Sequence, residues 1–332
     1  MNDRKGLRAL AALKGIFIWM IVLHNTFLLD AILENVPSMS FIRLFGGSLG
    51  NSMFFMLSGF LISRGYQEKI RQNGVSFCDF FRRRLSRLYP IYALSNLAAL
   101  VVTVWQYGIS DINLRKISFT FLLLQGGVLD SGNPYNSPTW FLSALFVCYI
   151  LYYIVTSKAK KTETYWGILA LGIAVGYYFS NMDLHIPLCY QGNGVAYLNF
   201  FIGCALAECE PLVAERRKWL LPMCAVILAG SMYLMLAYGV EIISGGSGAA
   251  FAFLVCPMVL YLACEKGIFC EVLNWKPMQF LGRISMGVFY WHLVIYLAMR
   301  YAFGGMTLIL YIVYLLAVFG ASVITDLLSC RK

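Results

Sequence analysis

The sequence predicts an all-α protein that crosses a membrane many times. Hydrophobic residues make up 60% of the 332 residues and charged residues only 13%, which is about half the charged share of an ordinary soluble domain. A soluble chain of this composition would expose apolar patches and aggregate, whereas lipid allows apolar faces to point outward. The longest strongly polar stretch, from roughly residue 64 to 87, is shorter than a soluble domain of about 50 residues. We therefore expect residues 1–332 to form a single integral membrane domain.

The apolar stretches are long enough for about ten crossings. A membrane-spanning helix needs about 20 mostly apolar residues. The predicted crossings are 9–29, 46–63, 88–106, 139–157, 164–180, 193–208, 219–238, 247–264, 279–299 and 305–328. A further apolar stretch, 117–129, is short for a crossing and would place Lys158–Lys161 on the outer side if it crossed. We expect it to be a re-entrant or interfacial piece on the outer side.

Lysines and arginines in the loops predict the orientation. Short loops rich in these residues stay in the cytoplasm, and ten crossings place the main basic clusters and both termini there. The clusters are Arg4, Lys5 and Arg8; Arg64, Lys69, Arg71, Arg82, Arg83, Arg84 and Arg87; Lys158, Lys160 and Lys161; Arg216, Arg217 and Lys218; Lys266 and Lys276; Arg331 and Lys332. Arg115, Lys116 and Arg300 are exceptions. The net charge of +10 thus indicates a multi-pass protein of the cell membrane, not a nucleic-acid-binding protein.

Few ionisable residues lie inside the predicted crossings, and such residues are functional candidates because burying charge in lipid is costly. Lys14 and His24 lie in the first crossing and His292 in the ninth, whereas no Asp or Glu lies in the middle of one. A neutral histidine can take a proton from a hydroxyl, as a general base must. Alternatively, both histidines are hydrogen-bonded core residues and Lys14 extends its ammonium to the headgroups. The ten cysteines include no CxxC pair, and no metal site is predicted.

An arginine cluster precedes the third crossing in the stretch RRRLSRLYPIY. Arg83 and Arg87 are four residues apart and share a helix face. Several guanidinium groups beside a helix N-terminus suit a ligand that carries phosphate. The alternative is a cytoplasmic flank that contacts lipid phosphates.

Six stretches taken together resemble the acyltransferase family 3 of membrane-bound O-acyltransferases. They follow the family's order between residues 13 and 292: LKGIFIWMIVLHN, NSMFFMLSGFLIS, RRRLSRLYPIY, TWFLSALFVCYIL, FFIGCALAE and FLGRISMGVFYWH. The resemblance implies an enzyme that takes an acyl group, usually acetyl, from cytoplasmic acyl-CoA. It implies transfer to a hydroxyl, commonly on a cell-surface or extracytoplasmic glycan, with acyl-CoA as the donor and no bound cofactor.

The resemblance also implies a catalytic site in the first helix, where the family has a basic residue, ten spacers and an essential histidine. Lys14 and His24 match those residue types, but nine spacers leave them about 80° apart around an ideal helix. Asn25 occupies the strictly aligned position. A π-bulge near Gly15 would restore the alignment. In the alternative arrangement Asn25 faces the site, His24 packs against another helix, and His292 is the next candidate for the base.

We therefore predict that His24 is the general base or briefly carries the acyl group. The nucleotide end of acyl-CoA is predicted to rest on Arg82, Arg83, Arg84 and Arg87, with Lys14, Asn25, Ser58 and His292 as further substrate-binding residues. Ser58 and Gly59 either line the tunnel for the pantetheine arm or serve close helix packing. Many relatives carry an acidic residue in the stretch TWFLSALFVCY that this chain lacks. The rival interpretation is a non-enzymatic transporter or glycan-export component on the same scaffold.

Overall fold

The computed structural model describes residues 3–26, 37–130, 132–238, 248–264 and 267–329. These residues form eleven α-helices and two short 3₁₀ helices, and no strand occurs among them. The helices are α1 Asp3–Asn25, α2 Pro37–Arg71, α3 Phe77–Tyr107, α4 Leu114–Phe121, α5 Trp140–Lys158, α6 Thr162–Ser180, α7 Gln191–Tyr238, α8 Gly248–Cys264, α9 Ile268–Leu273, α10 Lys276–Ala302 and α11 Leu308–Ser329. Some predicted features lie outside the described residues. They are the basic flanks at Lys266, Arg331 and Lys332, residues 27–29 of the first crossing and residue 247 of the eighth crossing.

The described helices confirm a multi-pass, all-α membrane protein. Six helical segments are long and apolar enough to cross a membrane by their length and composition. Large apolar side chains such as Val101, Leu171 and Leu316 are more than 60% exposed. Such surfaces are stable against lipid tails, which remove the need to bury them in the protein.

One helix differs from its predicted form. The sixth and seventh predicted crossings belong to a single continuous helix, α7, of 48 residues, which corresponds to a length of about 72 Å. The described residues therefore contain nine helices of 17 or more residues. The charges at Glu215–Lys218 suggested a loop, but Glu, Arg and Lys are good helix formers. The helix also continues through Pro211 and Pro222, although each proline removes one backbone donor.

Two pairs of glycines set the helix spacing around the centre of the bundle. A Cβ on Gly15 of α1 would lie 2.7 Å from the backbone of Leu281 in α10, and one on Gly282 of α10 would collide with the carbonyl of Ala11 in α1. A Cβ on Gly59 of α2 would collide with the carbonyl of Phe200, and one on Gly203 of α7 with the carbonyl of Met56. Small residues at such crossings allow the helix backbones to approach closely, as is common in membrane bundles.

Basic side chains gather at one end of the bundle, among them Arg8, Arg87 and Lys276, and we call it the basic end. The α2 terminus is tied there to the end of α5, since the Arg71 guanidinium donates to the Ala159 carbonyl at 3.1 Å. The start of α10 is joined to the start of α1 by a hydrogen bond of 2.8 Å from the Gln279 amide to the Arg8 carbonyl. At the opposite end, Trp105 of α3 contacts Tyr301 of α10 with ring centroids 4.8 Å apart.

The segment after α3 turns back into the bundle, as predicted for residues 117–129. Helix α4 has eight residues, a length of about 12 Å that is too short to cross. The Thr120 carbonyl accepts a hydrogen bond of 2.6 Å from the Tyr92 hydroxyl, and Tyr92 lies about 22 Å before the end of α3 at Tyr107. Further along, the buried Asn136 amide donates to the Tyr290 carbonyl at 2.8 Å. These bonds hold the segment deep between α3 and α10.

Candidate active site

A cavity of about 320 Å³ lies between α1, α2, α3, α5 and α10. Four cationic side chains line it: Lys14, Arg83, Arg84 and Arg87. None of the described lining residues is Asp or Glu; most of the others are aromatic or aliphatic. We call this space the cationic cavity. The structure therefore brings Lys14 of α1 together with three of the four arginines that were predicted to hold the donor.

Arg84 is held mainly by the protein itself. Its Nη1 atom donates to the Phe80 carbonyl at 2.6 Å. The guanidinium carbon lies 3.7 Å from the ring centroid of Phe80, 4.3 Å from that of Tyr66 and 5.3 Å from that of Tyr149. Stacking on aromatic faces is favourable for a guanidinium and fixes its position. Arg84 therefore contributes a fixed positive charge to the wall of the cavity.

Tyr66 links two of the arginines. Burial raises the pKa of its phenol, but a hydrogen bond from Arg83 and the positive charges of Arg84 and Arg83 outweigh burial, so the pKa lies below its ordinary value. A lowered pKa means that the surroundings favour negative charge at this oxygen. The same field would favour an anionic group of a ligand placed beside Tyr66.

Lys14 and Arg87 differ from Arg84 because they have no protein partner within the part of the chain that the structure describes. Neither forms a hydrogen bond or an ion pair with a described residue, and their like charges repel each other. Both also line a second space of about 1550 Å³, together with Arg8, Lys276 and Met286. We call this space the basic-end cleft. Lys14, Arg87 and Met286 border both spaces, so the two cations stand where the cleft meets the cationic cavity.

Arg82, the fourth arginine of the predicted cluster, lies elsewhere. Its side chain is exposed on α3 and is not among the residues that line the cationic cavity or the basic-end cleft. Helix geometry explains the difference, since Arg83 and Arg87 share one face of α3 and Arg82 projects about 100° away from Arg83.

Ser58 lines a cavity and Gly59 serves close helix packing, so each has one of the two roles that were considered for the pair. Ser58 lines the cationic cavity, and its hydroxyl donates to the Phe54 carbonyl at 2.7 Å. Gly59 faces α7 at the close crossing with Phe200. The pair therefore supplies one cavity-lining hydroxyl and one packing position.

His24 and Asn25 project toward different helices. Helix α1 is continuous from Asp3 to Asn25 without a π turn, so Asn25 shares the face of Lys14 to within about 20° and His24 does not. The half-buried His24 ring packs against Gly47 of α2, where an added Cβ would lie 2.5 Å from its Cδ2 atom. His24 therefore lies between α1 and α2, about 15 Å along the helix from Lys14, and outside the cationic cavity.

Asn25 instead contacts His292 of α10. The Nδ1 atom of His292 lies 2.9 Å from the Phe289 carbonyl, which can only accept, so Nδ1 carries the proton. The unprotonated Nε2 then accepts from the Asn25 amide at 3.1 Å. His292 is 0% exposed. Both of its ring nitrogens are thus occupied by described partners.

Three phenylalanine rings separate the cationic cavity from this pair. Phe141 and Phe289 line the end of the cavity away from the arginines, with ring centroids 5.8 Å apart. Phe55 stacks on Phe141 at 4.1 Å, and the His292 ring lies 6.4 Å from Phe289 on the far side. We call Phe55, Phe141 and Phe289 the aromatic layer.

Several cavity residues were missed by sequence reasoning. On α2, Asn51, Phe54, Leu61, Ile62 and Tyr66 line the cavity beside the predicted Ser58. Their spacing of three or four residues is that of one helix face, so the periodicity of α2 was an available signal. Tyr149 and Met286 had no comparable signal, because only the packing of α5 and α10 brings them to the cavity. In the described chain no three His, Cys, Asp or Glu residues lie close enough together to hold a metal ion.

These features define a multi-pass membrane protein with a cationic cavity that meets a cleft at one end of the helix bundle and has no carboxylate among its described lining residues. Comparison with known families gives the more particular assignment. The acyltransferase domain model of acyltransferase family 3 matches residues 7–327, and the chain belongs to this family.

Curated relatives are distant in sequence. The O-acetyltransferase OatA of Staphylococcus aureus strain NCTC 8325 is 21% identical over 304 residues, covering 82% of this chain and 50% of that protein. The acyltransferase MdmB of Streptomyces mycarofaciens is 26% identical over 224 residues, covering 58% of this chain and 53% of that protein. YrhL of Bacillus subtilis strain 168, for which peptidoglycan O-acetyltransferase activity is proposed, is 26% identical over 292 residues. The match covers 74% of this chain and 44% of that protein. The chain spans about half the length of the curated relatives it matches, and no solved structure matches it significantly.

Proposed function

We propose that this chain is a membrane-embedded O-acetyltransferase that moves an acyl group from cytoplasmic acyl-CoA to a hydroxyl of an extracytoplasmic glycan. The observation that carries the proposal is the pair Lys14 and Arg87, two neighbouring cations that form no ion pair with a described residue. An anionic ligand placed between them would relieve their repulsion and form charge-assisted hydrogen bonds. CoA carries several phosphate charges and therefore suits such a site. Family membership supplies the acyl-transfer chemistry.

The donor would enter from the basic end, which the positive-inside rule places in the cytoplasm. Arg8 and Lys276 in the basic-end cleft would attract the phosphates, and Lys14 and Arg87 would hold them at the junction of the two spaces. The pantetheine arm carries no charge and suits the apolar part of the cationic cavity, which is lined by residues such as Phe54 and Leu145. The acyl thioester would then lie near the aromatic layer, deep in the bundle.

We assign the general-base role to His24. A neutral imidazole at His24 would take the proton of the acceptor hydroxyl. The hydroxyl oxygen of the acceptor would at the same time attack the thioester carbonyl. The carbon–sulfur bond then breaks and CoA leaves as a thiolate, which takes up a proton. The assignment rests on exposure, since the His24 side chain is half-buried and can meet a substrate, whereas His292 is fully buried. The Asn25–His292 contact would then fix the end of α1 and the direction of His24.

Acetyl-CoA binding tests the donor site. We expect Lys14→Gln and Arg87→Gln each to weaken acetyl-CoA binding to the purified protein by about tenfold or more, because each removes a charged hydrogen-bond donor. Arg82→Gln is the matched control, since it removes the same charge from the same helix without touching either space. Isothermal titration calorimetry in detergent micelles measures the three affinities.

Two results would contradict the proposal. Equal affinity in Arg82→Gln and Arg87→Gln would show that the arginines act only as a topology signal. Absence of acetyl-CoA binding and consumption by the correctly folded wild-type chain, with candidate glycan acceptors present, would favour a non-enzymatic transporter or glycan-export component.

A further inference from the structure

A separate pocket of about 300 Å³ lies at the end of the bundle opposite the basic end. It is formed by the segment that follows α4 and by the connection between α6 and α7. Its side-chain lining includes Asn133, Trp140, Asp183, His185, Tyr190 and Gln191. We call it the opposite-end pocket. It shares no lining residue with the cationic cavity or the basic-end cleft.

Glycines build this pocket closely around the Trp140 indole. A Cβ on Gly126, whose φ is +64°, would lie 2.7 Å from the Cβ of Trp140, and a Cβ on Gly192 would lie 3.0 Å from Trp140 Cζ3. The Leu188 amide donates to the Gly127 carbonyl at 2.9 Å and joins the two walls. Gly126 therefore packs against the backbone and Cβ of Trp140 and Gly192 against its indole, and the pocket is formed before any ligand binds.

The chemistry of the lining fits an uncharged, hydroxyl-rich ligand. Trp140 and Tyr190 offer aromatic faces on which the apolar C–H face of a sugar ring can pack, and their N–H and O–H groups can hydrogen-bond. The exposed Asn133 amide offers a donor and an acceptor to sugar hydroxyls, as does the His185 imidazole. Among the described lining residues none is Lys or Arg, and Asp183 is 96% exposed. An anionic ligand would meet a carboxylate here and no fixed cation.

The position of the pocket relates it to the donor site. Trp140 directly precedes Phe141, which lines the cationic cavity. The Phe55 ring lies 6.3 Å from Trp140 and 4.1 Å from Phe141. The opposite-end pocket and the cationic cavity therefore lie on either side of the aromatic layer, one opening at each end of the bundle.

We propose that the opposite-end pocket binds a neutral sugar unit of the acceptor glycan. The proposal rests on the O-acetyltransferase function above and adds to it the place and the chemical class of the acceptor. Trp140 and Tyr190 form the stacking surface, and Asn133 and His185 read the hydroxyl groups. Because the pocket lies at the end opposite the donor entrance, the glycan binds without crossing the membrane.

Direct sugar binding tests the proposal without requiring catalysis. The probes are the neutral tetrasaccharides tetra-N-acetylchitotetraose, cellotetraose and maltotetraose and the anionic tetragalacturonate. They are titrated into the purified full chain and followed by saturation-transfer NMR. We expect at least one neutral probe to bind, and tetragalacturonate to bind at least tenfold more weakly. The double variant Asn133→Ala/His185→Ala should lose at least tenfold in affinity for the neutral probe. Both replaced side chains are exposed, so the fold should survive.

The control variant is Ser110→Ala, an exposed change at the same end of the bundle that lies outside the pocket; it should bind the neutral probe as the wild type does. The proposal is overturned if no neutral probe binds, if the double variant binds like the wild type, or if tetragalacturonate is preferred. Acetyl-CoA binding is measured on the same preparations. Its absence in the wild type, with sugar binding intact, would contradict the proposed function and leave the pocket assignment standing.

Discussion

At the scale of single residues, partner geometry separates cations that hold the structure from cations that are available to a ligand. Arg84 is neighboured by three aromatic rings and a carbonyl, whereas Lys14 and Arg87 have no partner within the described ranges. Charged groups inside a membrane protein are costly unless they are paired or functional. The unpaired cations at the junction of the two spaces therefore indicate where a phosphate-bearing donor would bind.

The two deep histidines lead to contrasting predictions. We expect His24→Ala to lower acetyl transfer by about 10²–10⁴-fold, the usual contribution of general-base catalysis, with acetyl-CoA affinity unchanged. His292→Ala should mainly lower stability, because the Asn25 amide loses a buried hydrogen-bond acceptor, at a cost of roughly 1–3 kcal/mol. Asn25→Ala should resemble His292→Ala. Turnover of radiolabelled acetyl-CoA and thermal melting of the purified proteins measure these effects.

The reverse pattern would relocate the base. If His24→Ala keeps near-normal turnover while a folded His292→Ala protein loses it, then the Nε2 atom that faces Asn25 is the proton acceptor. In that case Asn25 would orient the His292 imidazole. Asn25 would do so from the helix position at which the family has its essential histidine.

At the scale of elements, close helix crossings determine which side chains share a cavity. The α2–α7 crossing at Gly59 and Gly203 brings the two backbones into direct contact, with α7 on the side of α2 away from Ser58. The α1–α10 crossing at Gly15 and Gly282 places Lys14 close to Met286. A bulkier residue at any of these glycines would change the separation of two whole helices.

A pair of alanine substitutions tests this packing. We expect Gly203→Ala to destabilise the protein by about 1–3 kcal/mol, because the new methyl group overlaps the Met56 carbonyl and overpacking has roughly this cost. Gly167→Ala in α6 is the matched control; nothing lies within 4 Å of its added Cβ, and alanine is the better helix former by about 1 kcal/mol. Thermal melting in detergent should therefore fall for Gly203→Ala and stay level or rise for Gly167→Ala. Equal melting temperatures would contradict the close crossing.

At the scale of the whole molecule, charge and cavities are arranged along one axis. The cationic cavity and the basic-end cleft communicate with one end, and the opposite-end pocket lies at the other. The aromatic layer separates them. Such an arrangement suits a reaction whose donor and acceptor approach from different sides of a membrane.

Membrane orientation provides the test at this scale. In a cysteine-free background we expect cysteines at positions 132 and 188, both exposed, to react with an impermeant maleimide added outside intact cells. A cysteine at position 160 should react only after the membrane is opened, because Lys158–Lys161 should remain in the cytoplasm. Labelling of position 160 from outside would invert the donor and acceptor sides.

The sequence already defined the class of protein and most helix positions, because both follow from properties of contiguous residues. Apolar stretches of about 20 residues predict crossings wherever they occur, and eight of the ten predicted crossings correspond to separate helices. The remaining two merge in α7, since a charged stretch that prefers water need not interrupt a helix. Lys14 and the arginine cluster were recognisable for a similar reason: charge beside or within an apolar stretch is conspicuous in one dimension.

The tertiary structure decided which of those residues meet. Only the packing of both α1 and α3 on α10 brings Lys14 to Arg87 and leaves Arg82 aside. Only the packing of α1, α2 and α10 directs His24 toward Gly47 and Asn25 toward His292. The opposite-end pocket was likewise hidden, because Trp140 and His185 come from segments far apart in the chain. Contacts between distant segments depend on helix rotation and on close approach at small residues. The sequence by itself therefore determined the membrane protein and its candidate residues, and the fold determined the sites.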